Sequence, residues 1–120
     1  TRQEQLLVQV TELNQMLVDN KPLEAFEKFY HPNVVMQDNH KPATVGKDAN
    51  RERERKFYGS ITELRRNTPI KVAVGNEITM VEWLMDFTHT EWGCVLLHQI
   101  SVQVWEGAQI IKENFFYSLK

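Results

Sequence analysis

The amino-acid sequence predicts an α+β domain in which three helices come first and an antiparallel meander of strands comes last. Up to about residue 65, apolar residues recur every three or four positions, as they do on one face of a helix. After Pro69 they alternate with polar residues, which is typical of half-buried strands. The 120 residues, 42% of them hydrophobic, suit one domain over residues 1–120 with a single core.

The first helix is predicted over residues 3–18 because its apolar side chains form one stripe, made of Leu6, Val10, Leu13 and Leu17. The next four residues are typical of a turn, and Pro22 suits the first position of a second helix. Pro32 is expected to end that helix. The two helices should then pack as a hairpin whose apolar face needs a sheet to cover it.

A short strand is predicted from Val34 to Gln37, followed by a loop. A third helix is predicted over residues 48–65, with Asp48 as its N-cap. On that helix Arg53, Glu54, Phe57, Ile61 and Leu64 fall along one side.

The third predicted helix carries a run of charged residues at positions 51–56. Such a run favours a solvated helix face, on which Glu52 and Lys56 form an ion pair four residues apart. A second interpretation rests on position: Arg53 or Glu54 could lean over the mouth of a cavity, because both share a side with Phe57. The sequence alone leaves both interpretations open.

Alternating segments account for the second half of the chain. They cover residues 70–74, 78–89, 95–105 and 109–118, with glycine-containing turns at 75–76, 91–93 and 106–107 between them. In the second segment Val81, Trp83, Met85 and Phe87 share one face, while Glu82, Asp86 and Thr88 lie on the other. One face of the sheet is therefore expected to meet the helices.

Composition excludes several classes of protein. A net charge of -2 with 25% charged residues is neither disordered in type nor basic enough to favour nucleic acid as a partner. The single cysteine, Cys94, excludes a disulfide framework within the chain and favours a reducing compartment, so we expect a cytoplasmic protein. No apolar run approaches the roughly 18 to 20 residues of a membrane span, so no membrane partner is expected. The start is too polar for a signal peptide, although the missing initiator Met leaves an earlier removed leader possible.

Motifs for metals, nucleotides and serine hydrolases are absent from the sequence. The four histidines, His31, His40, His89 and His98, show no ligand spacing, so neither a metal nor another cofactor is expected. The glycines are scattered at turns, and there is no G-x-S-x-G segment.

Asp38 is the most informative polar residue. If the strand that begins at Val34 alternates, Val34, Met36 and Asp38 point to the same side, and the carboxyl ends an apolar row. Loss of hydration there would favour the neutral carboxyl and suit it to general acid or base catalysis. Alternatively, Asp38 follows the strand and caps the next loop through an Asx-turn.

Large side chains on the strands predict either a core or a pocket. Trp83, Met85, Phe87, Trp105, Phe115 and Tyr117 are candidates for both, since a concave sheet with many aromatic residues also lines pockets for small apolar ligands. On the strand at 95–105, His98 alternates with Ile100 and Val102, whereas Gln99 and Ser101 lie on the opposite face. His98 fits an interface or core position better than a catalytic one.

The segment from Leu23 to Asp38, followed by Gly46 and a helix, resembles the nuclear transport factor 2-like superfamily, in particular its SnoaL-like and ketosteroid isomerase-like branch. The ending from Gly107 to Ser118 is similar to the last strand of that family. The resemblance implies a cone-shaped α+β barrel: three N-terminal helices packed on a curved mixed or antiparallel sheet, with a pocket open at one end. It also implies a homodimer formed through the outer face of the sheet.

The same resemblance implies roles for individual residues. Asp38 matches the catalytic base of the steroid isomerases, but their oxyanion-binding tyrosine and aspartate fall near Asn14 and Ser101. The candidate hydrogen-bond donors are Asn14, Ser101, Gln99 and His98. The residues predicted to bind ligand are Tyr30, Met36, Phe57, Trp83, Met85, Phe87, Gln99, Phe115 and Tyr117.

Three hypotheses about function remain at this point. The chain is an isomerase, cyclase or dehydratase that performs acid–base chemistry on a small hydrophobic carbonyl compound, with Asp38 as base. Alternatively, it binds a small apolar ligand in the same pocket without catalysis. In the third hypothesis it is a dimeric association module whose interior is filled by its own aromatic side chains.

Overall fold

The computed structural model describes residues 1–119, in which three helices pack on one six-stranded sheet. The helices are α1 (Arg2–Val18), α2 (Pro22–Phe29) and α3 (Lys47–Gly59). The strands are β1 (Tyr30–Asp38), β2 (Thr44–Val45), β3 (Ile61–Val74), β4 (Ile78–His89), β5 (Gly93–Glu106) and β6 (Gln109–Tyr117). The predicted α+β class is confirmed, with three helices on a mixed sheet.

The first two helices form the predicted hairpin. Thr1 is the N-cap of α1 and forms a capping box with Glu4. The Thr1 hydroxyl accepts a hydrogen bond from the Glu4 amide at 3.1 Å, and the Glu4 carboxylate accepts one from the Thr1 backbone nitrogen. Leu6, Val10 and Leu13 are fully buried, as the apolar stripe predicts. Helix α2 begins at Pro22 as expected, but it ends at Phe29, before Pro32.

Strand β1 is longer than the predicted segment from Val34 to Gln37. The chain becomes extended at Tyr30 (φ -105°, ψ 131°), and the strand then continues to Asp38. Pro32 lies where the pairing register of β1 shifts, a position that tolerates a residue without an amide hydrogen. The short strand β2, which the sequence did not predict, pairs antiparallel with β1.

The prediction of a third helix over residues 48–65 is wrong at both ends. Its N-cap is Gly46 (φ 94°), a backbone conformation that favours glycine, while Asp48 lies in the first turn and pairs with Arg51. The helix ends at Gly59, and Ser60 donates from its hydroxyl to the Lys56 carbonyl at 2.7 Å. Ile61 and Leu64 therefore belong to strand β3 and not to α3.

The charged run of α3 also differs from expectation. Glu52 pairs with Arg55 at 2.9 Å and not with Lys56. Arg51 contacts Glu27 and Asp48 on the outside of the molecule, whereas Arg53 and Glu54 turn inward. Only part of the run is therefore the solvated face that the charge pattern favours.

The sheet has the strand order β2-β1-β6-β5-β4-β3. Neighbouring strands are antiparallel except β1 and β6, which are parallel, so the predicted meander is completed by a parallel first strand. The sheet remains open, with β2 and β3 at its edges. It curves around the helices and encloses the core between its concave face and α1, α2 and the inner side of α3.

The two faces of the sheet differ in character. On β4 the side chains of Val81, Trp83, Met85 and Phe87 are buried on the concave face, as the alternation predicts. The outer face exposes apolar side chains at Met80, Leu96, Ile100 and Phe116, and Ile100 is paired in register with Phe116. His98 lies on this outer face, where its imidazole is 3.3 Å from the Glu82 carboxylate.

Candidate functional site

A cavity of about 320 Å³ lies between the helices and the concave face of the sheet. Apolar side chains make up most of one part of its wall, including Leu13, Leu17, Phe26, Trp83, Met85 and Leu97. Polar side chains gather in another part, including Asp38, Arg53, Glu54, Gln103, Glu113 and Tyr117. The cavity therefore combines an apolar surface with a cluster of titratable groups.

The opening of the cavity is marked by the lining residues that are exposed to solvent, Lys56, Glu91 and Trp92. The Trp92 ring stacks on His89 with 4.0 Å between ring centroids, and Phe57 lies about 6 Å from both rings. His89 Nδ1 accepts a hydrogen bond from the Glu91 amide at 3.1 Å. This aromatic group holds the turn between β4 and β5 against α3.

Asp38 lies at the end of β1, and its carboxyl faces the cavity instead of capping the following loop. Arg53 donates a hydrogen bond to Oδ1, and the Tyr117 hydroxyl donates to Oδ2 at 2.9 Å. The Arg53 guanidinium lies 5.6 Å from the centroid of the Phe115 ring. Both oxygens of Asp38 are thus oriented by donors from α3 and β6.

Tyr117 remains a donor to Asp38 throughout the physiological pH range. Burial and the neighbouring Asp38 carboxylate raise the pKa of the Tyr117 hydroxyl to about 12. Its amide also donates to the Asn39 side chain at 3.0 Å, which fixes the end of β6 beside the end of β1.

Glu113 is the centre of a buried hydrogen-bond network. Tyr30 donates from its hydroxyl to one carboxyl oxygen, and Gln103 donates from its amide to the other at 2.8 Å. The network continues beyond Gln103, since Thr79 donates to Gln103 at 2.6 Å and the Trp105 indole donates to Thr79 at 2.8 Å. Burial raises the pKa of Glu113 to about 7 despite the two donors, and burial also raises the pKa of Tyr30.

Glu54 differs from the other two carboxyls. Within residues 1–119 its side chain has no hydrogen-bond or ion-pair partner. The residue keeps some accessible surface because it borders the cavity, yet protein surrounds it on the other sides. Burial, together with the nearby charges of Glu113 and Asp38, raises the pKa of Glu54 to about 7 although Arg53 acts in the opposite direction. A carboxyl with this pKa changes protonation near neutrality.

The structure brings most of the residues singled out in the sequence to this cavity. Those that line it are Tyr30, Asp38, Phe57, Trp83, Met85, Gln99, Ser101, Phe115 and Tyr117. Five others do not line it. Met36, Phe87 and Trp105 are buried in the core, Asn14 is buried within α1, and His98 lies outside because odd-numbered residues of β5 face inward.

Three functional candidates were missed in the sequence: Gln103, Glu113 and Thr79. Each occupies an inward position on a strand and is at most 2% exposed. The available signal was the alternation of β5, which places Gln103 on the same face as Trp105, since buried polar groups need partners. The alternation near Ile110 and Ile111 hides Glu113, because both faces of β6 there carry isoleucine.

Among residues 1–119, no group of three or more His, Cys, Asp or Glu side chains is arranged to hold a metal ion. None of the helices in this part of the chain is long and apolar enough to cross a membrane.

Comparison with solved structures shows the same fold. A protein from Mesorhizobium loti described as a SnoaL-like polyketide cyclase superposes with a TM-score of 0.84 over 93% of this chain and 98% of that chain, at 16% identity. A protein from Burkholderia pseudomallei described as NTF2-like, of unknown function, gives 0.79 over 94% and 90%, at 15% identity. A protein from Catenulispora acidiphila with a ketosteroid isomerase-like fold gives 0.75 over 92% and 85%, at 13% identity.

Sequence comparison identifies the family. None of the curated proteins compared with the chain matches it in sequence. The model of the SnoaL-like domain, in contrast, matches residues 7–117, which is nearly the whole chain. The protein therefore belongs to the SnoaL-like domain family, within the nuclear transport factor 2-like fold that includes isomerases and cyclases.

Proposed function

We propose that the protein binds a small, mostly apolar carbonyl compound in the cavity and transfers a proton on it, as an isomerase, cyclase or dehydratase does. The observation that carries this proposal is the oriented carboxylate of Asp38 facing the cavity of about 320 Å³. That volume lies at the small end of the range for ligand pockets, roughly 300–1,000 Å³.

In this proposal Asp38 removes a proton from the carbon next to the carbonyl group and returns it at a second position. Arg53 and Tyr117 are positioning residues, because their hydrogen bonds hold the two oxygens of the carboxylate. Ser101 and Gln99 line the same cavity and are the candidate donors to the developing enolate oxygen. The amide of Gln99 donates to Ser101 at 3.3 Å, which leaves the Ser101 hydroxyl hydrogen free to point at a ligand.

Deuterium exchange tests the proton transfer directly. The probe is 4-phenylbutan-2-one in D₂O, with loss of the signals next to the carbonyl followed by proton NMR. We expect the wild type to accelerate exchange and Asp38→Asn to lose about 10²-fold or more of that acceleration. Asp48→Asn on the exposed side of α3 is the matched control and should leave the rate unchanged. Equal rates for the wild type and Asp38→Asn would contradict the assignment of the base.

The alternative of binding without catalysis is favoured by one observation. Both oxygens of Asp38 already accept hydrogen bonds from the protein, so accepting a substrate proton would disturb one of these contacts. Under this alternative the ketone binds, shows no accelerated exchange, and binds Asp38→Asn equally well. The third hypothesis, an interior filled by its own aromatic side chains, is disfavoured by the cavity.

Cavity binding itself is tested by a matched pair of variants on β5. Gln99 lines the cavity, whereas its neighbour His98 lies on the outer face. Gln99→Trp should block an environment-sensitive dye such as 1-anilinonaphthalene, and His98→Trp should leave dye binding unchanged. Unaltered dye binding by Gln99→Trp would place the bound dye elsewhere and count against the cavity.

We further propose that a second copy of the chain covers the outer face of the sheet. The exposed apolar side chains of Met80, Ile100 and Phe116 lie there. Light scattering should give twice the chain mass of 14.1 kDa for the wild type and the single mass for Ile100→Glu. A wild type that remains monomeric at micromolar concentration would refute the dimer.

A further inference from the structure

We infer that the compound held in the cavity carries a positively charged nitrogen, which pairs with the carboxylate of Glu54. This inference rests on the ligand binding proposed above and names the chemical class of the ligand. It does not depend on whether Asp38 is catalytic.

The charges inside the cavity do not balance. Three carboxyls line its interior, those of Asp38, Glu54 and Glu113, against one guanidinium, that of Arg53. Lys56 and Glu91, also in the lining, are exposed at the opening and have opposite signs. The interior therefore has an excess of acidic groups that a cation would neutralise.

Two of the three carboxyls already have partners. Asp38 accepts from Arg53 and Tyr117, and Glu113 accepts from Tyr30 and Gln103. Glu54 has no such partner among residues 1–119, although its surroundings are mostly protein. A carboxylate in this environment is stabilised strongly by an opposite charge, because little water competes for it.

The walls near Glu54 suit a cation better than an anion. Phe57 and Tyr58 follow Glu54 on α3 and line the cavity with Trp83. The faces of such rings attract ammonium groups. An anionic ligand would instead meet the charges of Glu54 and Glu113, and Arg53, the one guanidinium among residues 1–119 that lines the cavity, already pairs with Asp38 through Nη2.

The groups that act on Glu54 set the pH dependence of this binding. Asp38, Glu113 and Arg53 are its charged neighbours, and burial dominates the rise of its pKa to about 7. Tyr58 and Tyr30 also line the cavity, but the pKa of each hydroxyl is raised, so both stay neutral. A cationic ligand should therefore bind more tightly as the pH rises from 5.5 to 8 and Glu54 loses its proton.

Three compounds with one carbon skeleton separate the possibilities: 3-phenylpropylamine, 3-phenylpropan-1-ol and 3-phenylpropanoate, which are cationic, neutral and anionic. Calorimetric titration at pH 8 should give at least about tenfold tighter binding of the amine than of the alcohol, and weakest binding of the acid. Between pH 5.5 and 8 the amine affinity should rise, while the alcohol affinity should stay constant.

Variants on α3 assign the effect to one side chain. Glu54→Gln keeps the shape of the side chain and should remove the preference for the amine, leaving the alcohol affinity unchanged. Glu52→Gln, which alters an exposed acid on the same helix, should leave both affinities unchanged. Retention of the amine preference in Glu54→Gln would overturn the role of this residue.

The remaining outcomes have distinct meanings. Binding of the alcohol as tight as that of the amine, or tightest binding of the acid, would overturn this inference and leave the proposed ligand binding intact. Tighter binding of 4-phenylbutan-2-one at low pH would make Glu54 a donor to a carbonyl and would also overturn the inference. Failure of all the compounds to bind would overturn the proposed function, and the inference with it.

Discussion

Replacement of Glu113 by Gln should remove a loss of stability that the wild type shows as the pH rises. Below about pH 4.5 the carboxyl is protonated in both the folded and the unfolded chain. Between 4.5 and about 7 only the folded chain keeps the proton, so rising pH favours unfolding. At about 1.4 kcal/mol for each pH unit, Glu113 lowers the free energy of unfolding by about 3 kcal/mol above pH 7.

Urea unfolding at pH 4.5 and pH 8.5 measures this difference. Gln fits the network because its oxygen can accept from Gln103 while its amide donates to the Tyr30 hydroxyl. The free energy of unfolding of Glu113→Gln should exceed that of the wild type by about 3 kcal/mol at pH 8.5 and by almost nothing at pH 4.5. Glu106→Gln, at the exposed end of β5, is the control and should follow the wild type. A variant that is less stable than the wild type at pH 8.5 would show that the ionised network is favourable and refute the reasoning.

Three further substitutions test how the site is supported, each by its effect on the free energy of unfolding. Phe87→Ala empties a fully buried site and should cost about 3–5 kcal/mol, so a loss below about 1 kcal/mol would contradict the described core. Thr79→Val removes hydrogen bonds to Gln103 and Trp105 and should cost about 2–3 kcal/mol, with a changed indole absorption spectrum. Asn50→Ala removes the hydrogen bonds from its amide to the carbonyls of Val34, Thr44 and Gly46 and should cost about 2–4 kcal/mol, with faster hydrogen exchange around β2.

The sequence predicted the order of the elements better than their limits. The stripe of α1 and the inner face of β4 are regular, and both are correct in detail. Strand β3 is different, because three register shifts along it break the alternation that identifies a strand. Phe57, Ile61 and Leu64 are spaced four and three residues apart, as on one face of a helix. The end of α3 was therefore predicted six residues too late.

For the candidate site, the sequence identified the apolar lining and Asp38 but not the partners of the polar groups. Arg53 reaches Asp38 across 15 residues, and Tyr30 reaches Glu113 across 83. The first pair depends on the packing of α3 against β1, and the second depends on the parallel pairing of β1 with β6. No local sequence pattern encodes either arrangement. Glu54 was singled out only by its position on α3, and its lack of a partner is a property of the folded chain.

The parallel pairing of β1 with β6 has a consequence for how the protein forms. During synthesis β1 emerges early, but the strand beside it on the side of the sheet centre is β6, the last strand of the chain. Glu113, Phe115 and Tyr117, which line the cavity, therefore come together with Asp38 only when the chain is nearly complete. Contacts this distant in sequence are slow to form. We expect the cavity to be among the last features to assemble, after the β3–β5 meander, and a chain shortened before β6 to leave part of the apolar side of α2 uncovered.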